Sequence, residues 1–571
     1  MSDVVFVVPF TQDRFRDPPI GSLLLATILK NSGIHAEIIH LPRQEDYPDF
    51  QTFIGAIIAD IEKREAKIVS FYTRCDIYHI DLPVAEEIKR RSGATIVFGG
   101  PQADIVAKET LRAFPFVDYV CQGEGETTVF PFFSSLLRGS ADLSVAGLVY
   151  RKGTEIIQNP RPAFLTDLDQ LPEIDFSIMG MDGDCSHADR FLIDVGRGCP
   201  FSCSYCSTNT FWGRKYRLKS PDRIISEVLS LHETYGISSF SFAHDMFTLD
   251  RKQVIALCEK LKALDFPITW SCSARIDCID DELIDIMADS GMVSIYLGIE
   301  TGSERMQKLI HKNLKLHSIM DRVSHIHAKG LRATASFIHG FPEETPEDLS
   351  KTLALIRELA KFDKVSIQNH LCAFLPGTEL STRYADDLIA STFFSDQTGF
   401  SGIEGCEALI RSHPEVFPQY MEYHTELREQ LEYFPLFIRT WVAMQPVYQF
   451  CSQNYEQDHL IDMYFDFVKV NRAALENAMQ KHYLDQLSDF LPHDQFPQSI
   501  APAELQETIK DCYRMSILQH TPVDQKTEIF SFSPKEFKRG SDMTAYTKKV
   551  TMVHYKALPN NQVEMTIKSA F

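Results

Sequence analysis

No stretch of this chain approaches the roughly 18 consecutive apolar residues of a membrane-spanning helix. Its first residues, MSDVVFVVPF, lack the charged and then apolar layout of an export signal. A cytoplasmic location, with no membrane partner, is the resulting expectation. Cysteine is sparse for a disulfide-stapled chain, 13 in 571 residues and an odd number, so reduced thiols are expected and any that cluster suggest metal. Positive charge is in deficit: Lys and Arg number 57 against 78 Asp and Glu, a formal charge of −21. Such a field repels a phosphate backbone and argues against nucleic acid as a partner. Gly and Pro form no tract, and 44% hydrophobic with 24% charged residues is the composition of a folded globular enzyme. At about 100–200 residues per domain, three folding units are expected.

The first 145 residues alternate short apolar runs with helical patterns: VVFVVPF, AEIIHL, KIVSFYT, ATIVFGG and VDYVCQG, each followed by a helix. Strands this apolar are buried on both faces, and helical spacers fit right-handed crossovers, which gives a Rossmann-like, doubly wound parallel sheet. Ligands on such a sheet sit at the carboxyl ends of strands. There the chain places Gly99-Gly100-Pro101-Gln102 and Gly123-Glu124-Gly125, and Thr73-Arg74-Cys75 after the KIVSFYT strand. The GxGxxG of a dinucleotide fold is missing before the first helix. Glycines in these places also serve as plain strand-to-helix turns, and Cys75 also reads as a small buried residue.

A hairpin pattern, LVYRKGTEII, and prolines 160, 162 and 172 mark residues 146–185 as hairpin and linker. Then comes a strand, FLIDV, running into Cys199, Cys203 and Cys206 in the spacing C-x3-C-x2-C, with Tyr205 before the last cysteine. Three thiolates on one short loop can hold three irons of a cubane and leave the fourth iron open. No cysteine lies between Cys206 and Cys258 to close it. A zinc knuckle is the competing reading, but zinc wants a fourth N or S ligand, and His187 and His232 lack finger-like spacing.

The cysteine loop resembles the defining loop of the radical S-adenosylmethionine (SAM) superfamily. That resemblance implies a [4Fe-4S] cluster on Cys199, Cys203 and Cys206, SAM chelated at the open iron, and its reductive cleavage to a 5′-deoxyadenosyl radical. It also implies a low-potential electron donor such as flavodoxin or ferredoxin. Five further strand patterns, 238–243, 268–274, 293–300, 332–338 and 364–369, alternate with helices, so residues 186–390 are expected to form the superfamily's partial (β/α)6 TIM-type barrel, with polar strand ends for chemistry. By similarity, SAM would be met by Tyr205, Asp245, Ser273, Arg275 (its carboxylate), Glu300 (its ribose), and His339 and Gly340 (its adenine).

A Rossmann-like domain ahead of this barrel resembles the cobalamin-binding subgroup of radical SAM enzymes. Pro19 and Gly21 of PPIG, Thr73, Arg74, Gly99, Gly100, Pro101, Gln102, Gly123, Glu124 and Gly125 are its candidate cobalamin contacts. The D-x-H-x-x-G signature of other B12 proteins is absent, leaving an open lower face of the cobalt or one facing Gln102. The implied activity is methyl transfer from cobalamin to an unactivated carbon of a natural-product or peptide substrate, using two SAM molecules. A non-methylating cyclisation or rearrangement is the alternative, and a B12 sensor the remote one. A methylthiotransferase would need further cluster cysteines, whereas the N-terminal domain offers Cys75 and Cys121. No general acid or base stands out. Residues 391–571, with helical patterns at 408–430, 432–454 and 458–482 and a strand pair at the end, are expected to form a mainly helical substrate-specificity domain.

Overall fold

The computed structural model describes residues 2–9, 17–42, 46–181, 183, 185, 190–362, 364–390, 406–431, 526–532, 548–558 and 562–569. They fall into two compact units. The first holds Met1–Tyr296, Ile310–Lys312 and Ala373–Tyr423; the second holds Leu297–Leu309, Asn313–Cys372 and His424–Phe571.

The first unit opens with β1 (Val4–Val8), β2 (Ala36–His40), β3 (Ile68–Tyr72), β4 (Thr95–Gly99) and β5 (Tyr119–Cys121). They lie parallel in the order 2-1-3-4-5. Alternate residues feed two cores: Val5, Val7 and Phe71 pack under the helices at 50–62 and 78–92, while Val4, Phe6 and Ile68 pack under those at 20–31 and 129–137. Both faces are therefore covered, as the uninterrupted apolar runs require. The LVYRKGTEII pattern forms β6 (Leu148–Lys152) and β7 (Glu155–Gln158), an antiparallel hairpin that extends this sheet beyond β5. In this strand order the direction of winding reverses between β1 and β3, which puts the ligand crevice of such a sheet at the carboxyl end of β3.

The chain then enters β8 (Phe191–Asp194), followed by a two-stranded ribbon of β9 (Gly196–Arg197) and β10 (Arg217–Leu218) that brackets the cysteine loop. A second sheet contains β8, β11 (Ser239–Ala243), β12 (Thr269–Ala274), β13 (Met292–Glu300), β14 (Arg332–His339) and β15 (Val365–Leu371), in the order 15-14-13-12-11-8. It is not closed on itself. Phe240, Phe242 and Trp270 are buried on one face of β11 and β12, with Phe242 and Trp270 stacked at 5.1 Å, while Ser239, Ser241 and Ser273 on the other are half-buried. In the second unit, Ala333, Ala335 and Phe337 are the buried alternates of β14.

The C-terminal segment departs from expectation. The helix foreseen over 408–430 is broken into Glu407–Ser412, a 3-10 turn at Pro418–Tyr420, strand β17 (Met421–Tyr423), which pairs with β16 (Leu388–Ala390), and Glu426–Gln430. Pro414 and Pro418 explain it, since each disfavours a helical residue before it and removes a helix N–H. The foreseen strand pair is present as β19 (Lys548–Leu558) and β20 (Gln562–Ser569), joined by β18 (Lys526–Phe532) in an antiparallel sheet. The helices foreseen at 432–454 and 458–482 lie outside the described residues. Among the described residues no helix is long and apolar enough to cross a membrane.

Candidate active site

Backbone geometry fixes the cysteine loop at both ends. Gly198, just before Cys199, has φ +83°, and a Cβ there would stand 2.0 Å from the Lys215 carbonyl oxygen, so glycine is obligatory. A Cβ on Gly196 would come within 2.5 Å of the Arg217 carbonyl and of the His244 ring. Inside the loop, Arg214 donates twice to the Pro200 carbonyl (3.0 and 2.9 Å), the Asn209 amide donates to Phe201 O (2.6 Å), and Ser204 N donates to Ile310 O (3.0 Å). The loop is thus held largely through its backbone.

Cys199, Cys203 and Cys206 are half-buried. Burial, reinforced by the neighbouring thiols, pushes Cys199 up to about 11 and raises Cys206 as well. Three adjacent thiolates would need bound cations to be stable here. Among the described residues no three His, Cys, Asp or Glu side chains are grouped to hold one metal ion. A cubane asks for thiolates set apart on separate irons, and the donor set of this loop fits it.

Arg275 follows β12 and is buried, its guanidinium lying 4.1 Å from the centre of the Phe201 ring in the cysteine loop. Its Nε and Nη2 pair with the Asp277 carboxylate at 2.9 Å each, and Nη2 also donates to Lys312 O at 2.6 Å; Nη1 is buried without a hydrogen bond. Burial raises the Asp245 pKa, opposed by the Thr208 hydroxyl at 3.5 Å and the Gly198 N–H. Tyr205 and Ser273 are half-buried. His244, polar at a strand end, is a strut: Met246 N–H donates to its Nδ1 (2.7 Å), its Nε2 lies 3.3 Å from Arg217 O, and burial lowers it to about 4.

In the second unit, Glu300 ends β13 with φ +69°, and Thr301 N donates to Ile299 O at 2.9 Å. Together these define the φ-positive, strained form of the γ-turn with Glu300 at its apex. The surroundings force it. Gln307 Nε2 donates to Ile299 O and Thr301 O (2.8 Å each), and the Thr352 hydroxyl meets Thr301 Oγ1 (3.1 Å) and Gly302 N (3.0 Å). A Cβ on Gly302 would lie 2.5 Å from Lys351 O.

His339, the last residue of β14, is buried, and burial followed by the Arg428 charge lowers it to about 3. Gly340 has φ +78° and donates to Glu344 Oε2 (2.5 Å), a carboxyl that burial pushes up to about 8. Sequence reasoning missed Arg428. It donates to Gly340 O (2.6 Å) and Cys372 O (2.8 Å), tying together the ends of β14 and β15. It is one of two arginines, with Arg411, in an aromatic-rich helical pattern, with nothing local to single it out.

At the first sheet, Thr73 and Gly100 interlock at the crevice. Thr73 N donates to Gly99 O (2.7 Å), Ala103 N donates to Thr73 Oγ1 (2.9 Å), and Gly100, at φ +100°, would place a Cβ 2.8 Å from Thr73 O. Arg74 pairs with Asp76, and the half-buried Cys75 has its thiol pushed up to about 12 by burial. Pro19 caps the helix at 20–31, and a Cβ on Gly21 would meet open space. These backbone-lined ends can admit a broad, flat cofactor. Two expected contacts are already engaged. Gln102 gives its amide nitrogen to Val416 O (3.2 Å) and Gln419 Oε1 (2.9 Å) instead of facing a cofactor with it. Glu124 has both carboxylate oxygens bonded, to Arg197, to Arg217 and to Leu165 N.

Comparisons with known proteins match this layout. Residues 193–356 match the radical SAM superfamily and residues 14–130 the B12 binding domain. An uncharacterized methyltransferase of Pyrococcus horikoshii is 28% identical over 384 residues, which is 66% of this chain and 82% of that protein. The anaerobic magnesium-protoporphyrin IX monomethyl ester cyclase of Rubrivivax gelatinosus is 26% identical, over 48% of this chain and about half (51%) of its own length. The solved structure of the radical SAM methyltransferase TsrM from Kitasatospora setae shares the fold, with TM-score 0.59, 16% identity, 77% of this chain and 89% of that one. A radical SAM segment behind a B12-binding segment defines the class. The chain carries a B12-binding domain ahead of a radical SAM domain, and the cofactors these two domains imply are cobalamin, a [4Fe-4S] cluster and SAM.

Proposed function

We propose that this protein is a cytoplasmic radical SAM C-methyltransferase that acts on a small-molecule or peptide substrate, with a low-potential protein such as flavodoxin or ferredoxin as electron donor. The observation that carries the reading is the three-thiol loop, braced by its own carbonyls and by Phe201 against Arg275. Residues 186–390 would form the partial barrel, 1–145 the cobalamin domain, and 391–571 the substrate-specificity region.

When bound, the cluster would supply the electron that cleaves SAM and cobalamin would carry the methyl group. In this assignment Cys199, Cys203 and Cys206 hold the irons. Arg275, whose Nη1 has no hydrogen bond, would meet the SAM carboxylate, and Glu300 the ribose hydroxyls. Tyr205, Asp245 and Ser273 would be further SAM contacts, and His339 and Gly340 would pack beside the adenine. Thr73, Arg74, Gly99, Gly100 and Pro101 edge the cobalamin crevice with Pro19 and Gly21, while Gly123 and Gly125 shape the turn behind it. Fixed placement of the reacting groups, with water kept out, is what confines a radical to one C–H bond.

The cyclase relative favours a second reading, ring closure without methyl transfer. One experiment addresses both. The chain is reconstituted anaerobically with iron, sulfide and hydroxocobalamin, freed of unbound cofactor, and assayed with methyl-labelled SAM. About four irons and one cobalt retained, with label in a product heavier by one methyl group, support the proposal. Label-free product with SAM cleavage supports ring closure, and iron without cobalt overturns methyl transfer.

A further inference from the structure

The Gly123-Glu124-Gly125-Glu126 turn after β5 belongs to the cobalamin-binding segment, and β9–β10 carries the cysteine loop. Within the first unit a buried ion cluster joins them. Its starting point is a like-charge pair, because Arg197 and Arg217 stand directly opposite each other in the β9–β10 register. Opposed cations in an antiparallel pair repel, and here both are buried, with 8% and 7% of their side chains exposed. Counter-ions are obligatory.

They come from the turn. Glu124 Oε1 bridges both arginines, at 3.0 Å from Arg197 Nη1 and 2.7 Å from Arg217 Nη1, with 2% of its side chain exposed. Glu126 Oε1 takes Arg197 Nη2 at 2.6 Å, and Asp194 lies 3.7 Å from Arg197 Nε. Glu124 Oε2 accepts from Leu165 N at 2.8 Å. The turn is itself seated by Asp104, which accepts from Gly123 N at 2.7 Å and pairs with Arg161 at 2.7 Å. The arginines reach the cysteine loop through Trp212, over whose ring they lie at 5.5 and 5.6 Å, and Trp212 Cβ is 3.2 Å from where a Cβ on Gly198 would be.

We propose that Glu124 and Glu126 are positioning residues for the iron-sulfur loop: they neutralise the Arg197/Arg217 pair and thereby fix the loop relative to the cobalamin-binding turn. This rests on the cofactor assignment above, and it gives Glu124, a candidate cobalamin contact, and Glu126 a role in aligning the two cofactor loops. Buried charge networks of this kind are exacting, because losing one member leaves the others unsatisfied.

The test uses the full chain reconstituted with iron, sulfide and hydroxocobalamin, comparing wild type with Glu124→Gln and Glu126→Gln, and with Lys89→Met as a reference that breaks a distant ion pair, Lys89 to Asp118. Three spectroscopic readouts are taken: the midpoint potential of the cluster, the line shape of its reduced EPR signal, and the relaxation of the cob(II)alamin EPR signal by the reduced cluster. We expect both glutamine variants to retain iron but to shift the potential, broaden the cluster signal and alter that relaxation, and to slow SAM cleavage roughly ten- to a hundredfold. Lys89→Met should leave all three spectra unchanged. If the glutamine variants give wild-type spectra and potential and lose only melting temperature, the proposal is overturned. Should Glu124→Gln fail to fold, Glu124→Asp and Glu126→Gln carry the same comparison. If wild type retains iron but no cobalt, the methyl-transfer reading falls, while potential and line shape still decide the role of the glutamates.

Discussion

Two turns in this molecule hold strained or crowded backbone beside chemically loaded residues, and they do so by opposite means. The β9–β10 ribbon and its cysteine loop are braced by buried ions and a neutral histidine. The Glu300 turn is braced by an amide, hydroxyls and a close-packed glycine. Ion bracing spans distant parts of the chain but leaves a charge stranded when one partner is lost. Neutral bracing is local, and each bond lost costs less.

The largest effect should come from the ionic side. Arg217→Met takes one of two arginines from Glu124 and the donor from Leu165 O, and is expected to lower unfolding free energy by about 3 kcal/mol, measured by urea denaturation. Gln307→Leu, on the neutral side, leaves Thr301 O and Leu314 N without the partner Gln307 supplied and takes one of two donors from Ile299 O. It should cost less than about 3 kcal/mol and raise the KM for SAM more than it lowers kcat, leaving the cluster EPR signal unaltered. An equal perturbation of the cluster by both variants would erase the contrast.

Acid should separate the two turns further. His244 is held neutral in the fold, with its pKa lowered to about 4 by burial, against about 6.5 unfolded. The unfolded chain then binds the extra proton between those values, so the contribution of His244 is complete above pH 6.5 and is lost as pH falls toward 4. By pH 5 the loss is about 2 kcal/mol. The stability difference between wild type and His244→Gln, followed from pH 7 to 5, should shrink by that amount; a flat difference would refute it. The smallest effect is expected for Thr352→Val, about 1 kcal/mol, with a modest loss of SAM affinity by calorimetry. Arg217→Met destabilising no more than Thr352→Val would remove the distinction between the two bracing modes.

What the sequence disclosed follows the same divide between local and distant. Cys199, Cys203 and Cys206 were legible because their spacing alone sets the chemistry, and β1 to β5 because unbroken apolar runs have one reading. Thr73 and Gly100 were legible as strand-end residues. Glu124 and Gln102 were placed at the right turns, but their protein partners were not legible, since these lie 73 and 93 residues away for Glu124 and 314 and 317 for Gln102. No local pattern encodes such pairings. The position of Glu300 was readable; its γ-turn was not, because that conformation is imposed by Gln307 and Thr352 against the preference of the residue itself. The helix expected over 408–430 failed on two prolines that were in plain sight.

Arg428 gives the C-terminal segment a further meaning. Because this one side chain closes the ends of β14 and β15, the segment cannot be exchanged between relatives as a detachable cassette. A chimaera joined before residue 424 would import a foreign keystone or none, whereas one joined after 431 keeps it. Diversification of substrate range is therefore expected to be freest downstream of that helix, with the arginine inherited as part of the second sheet.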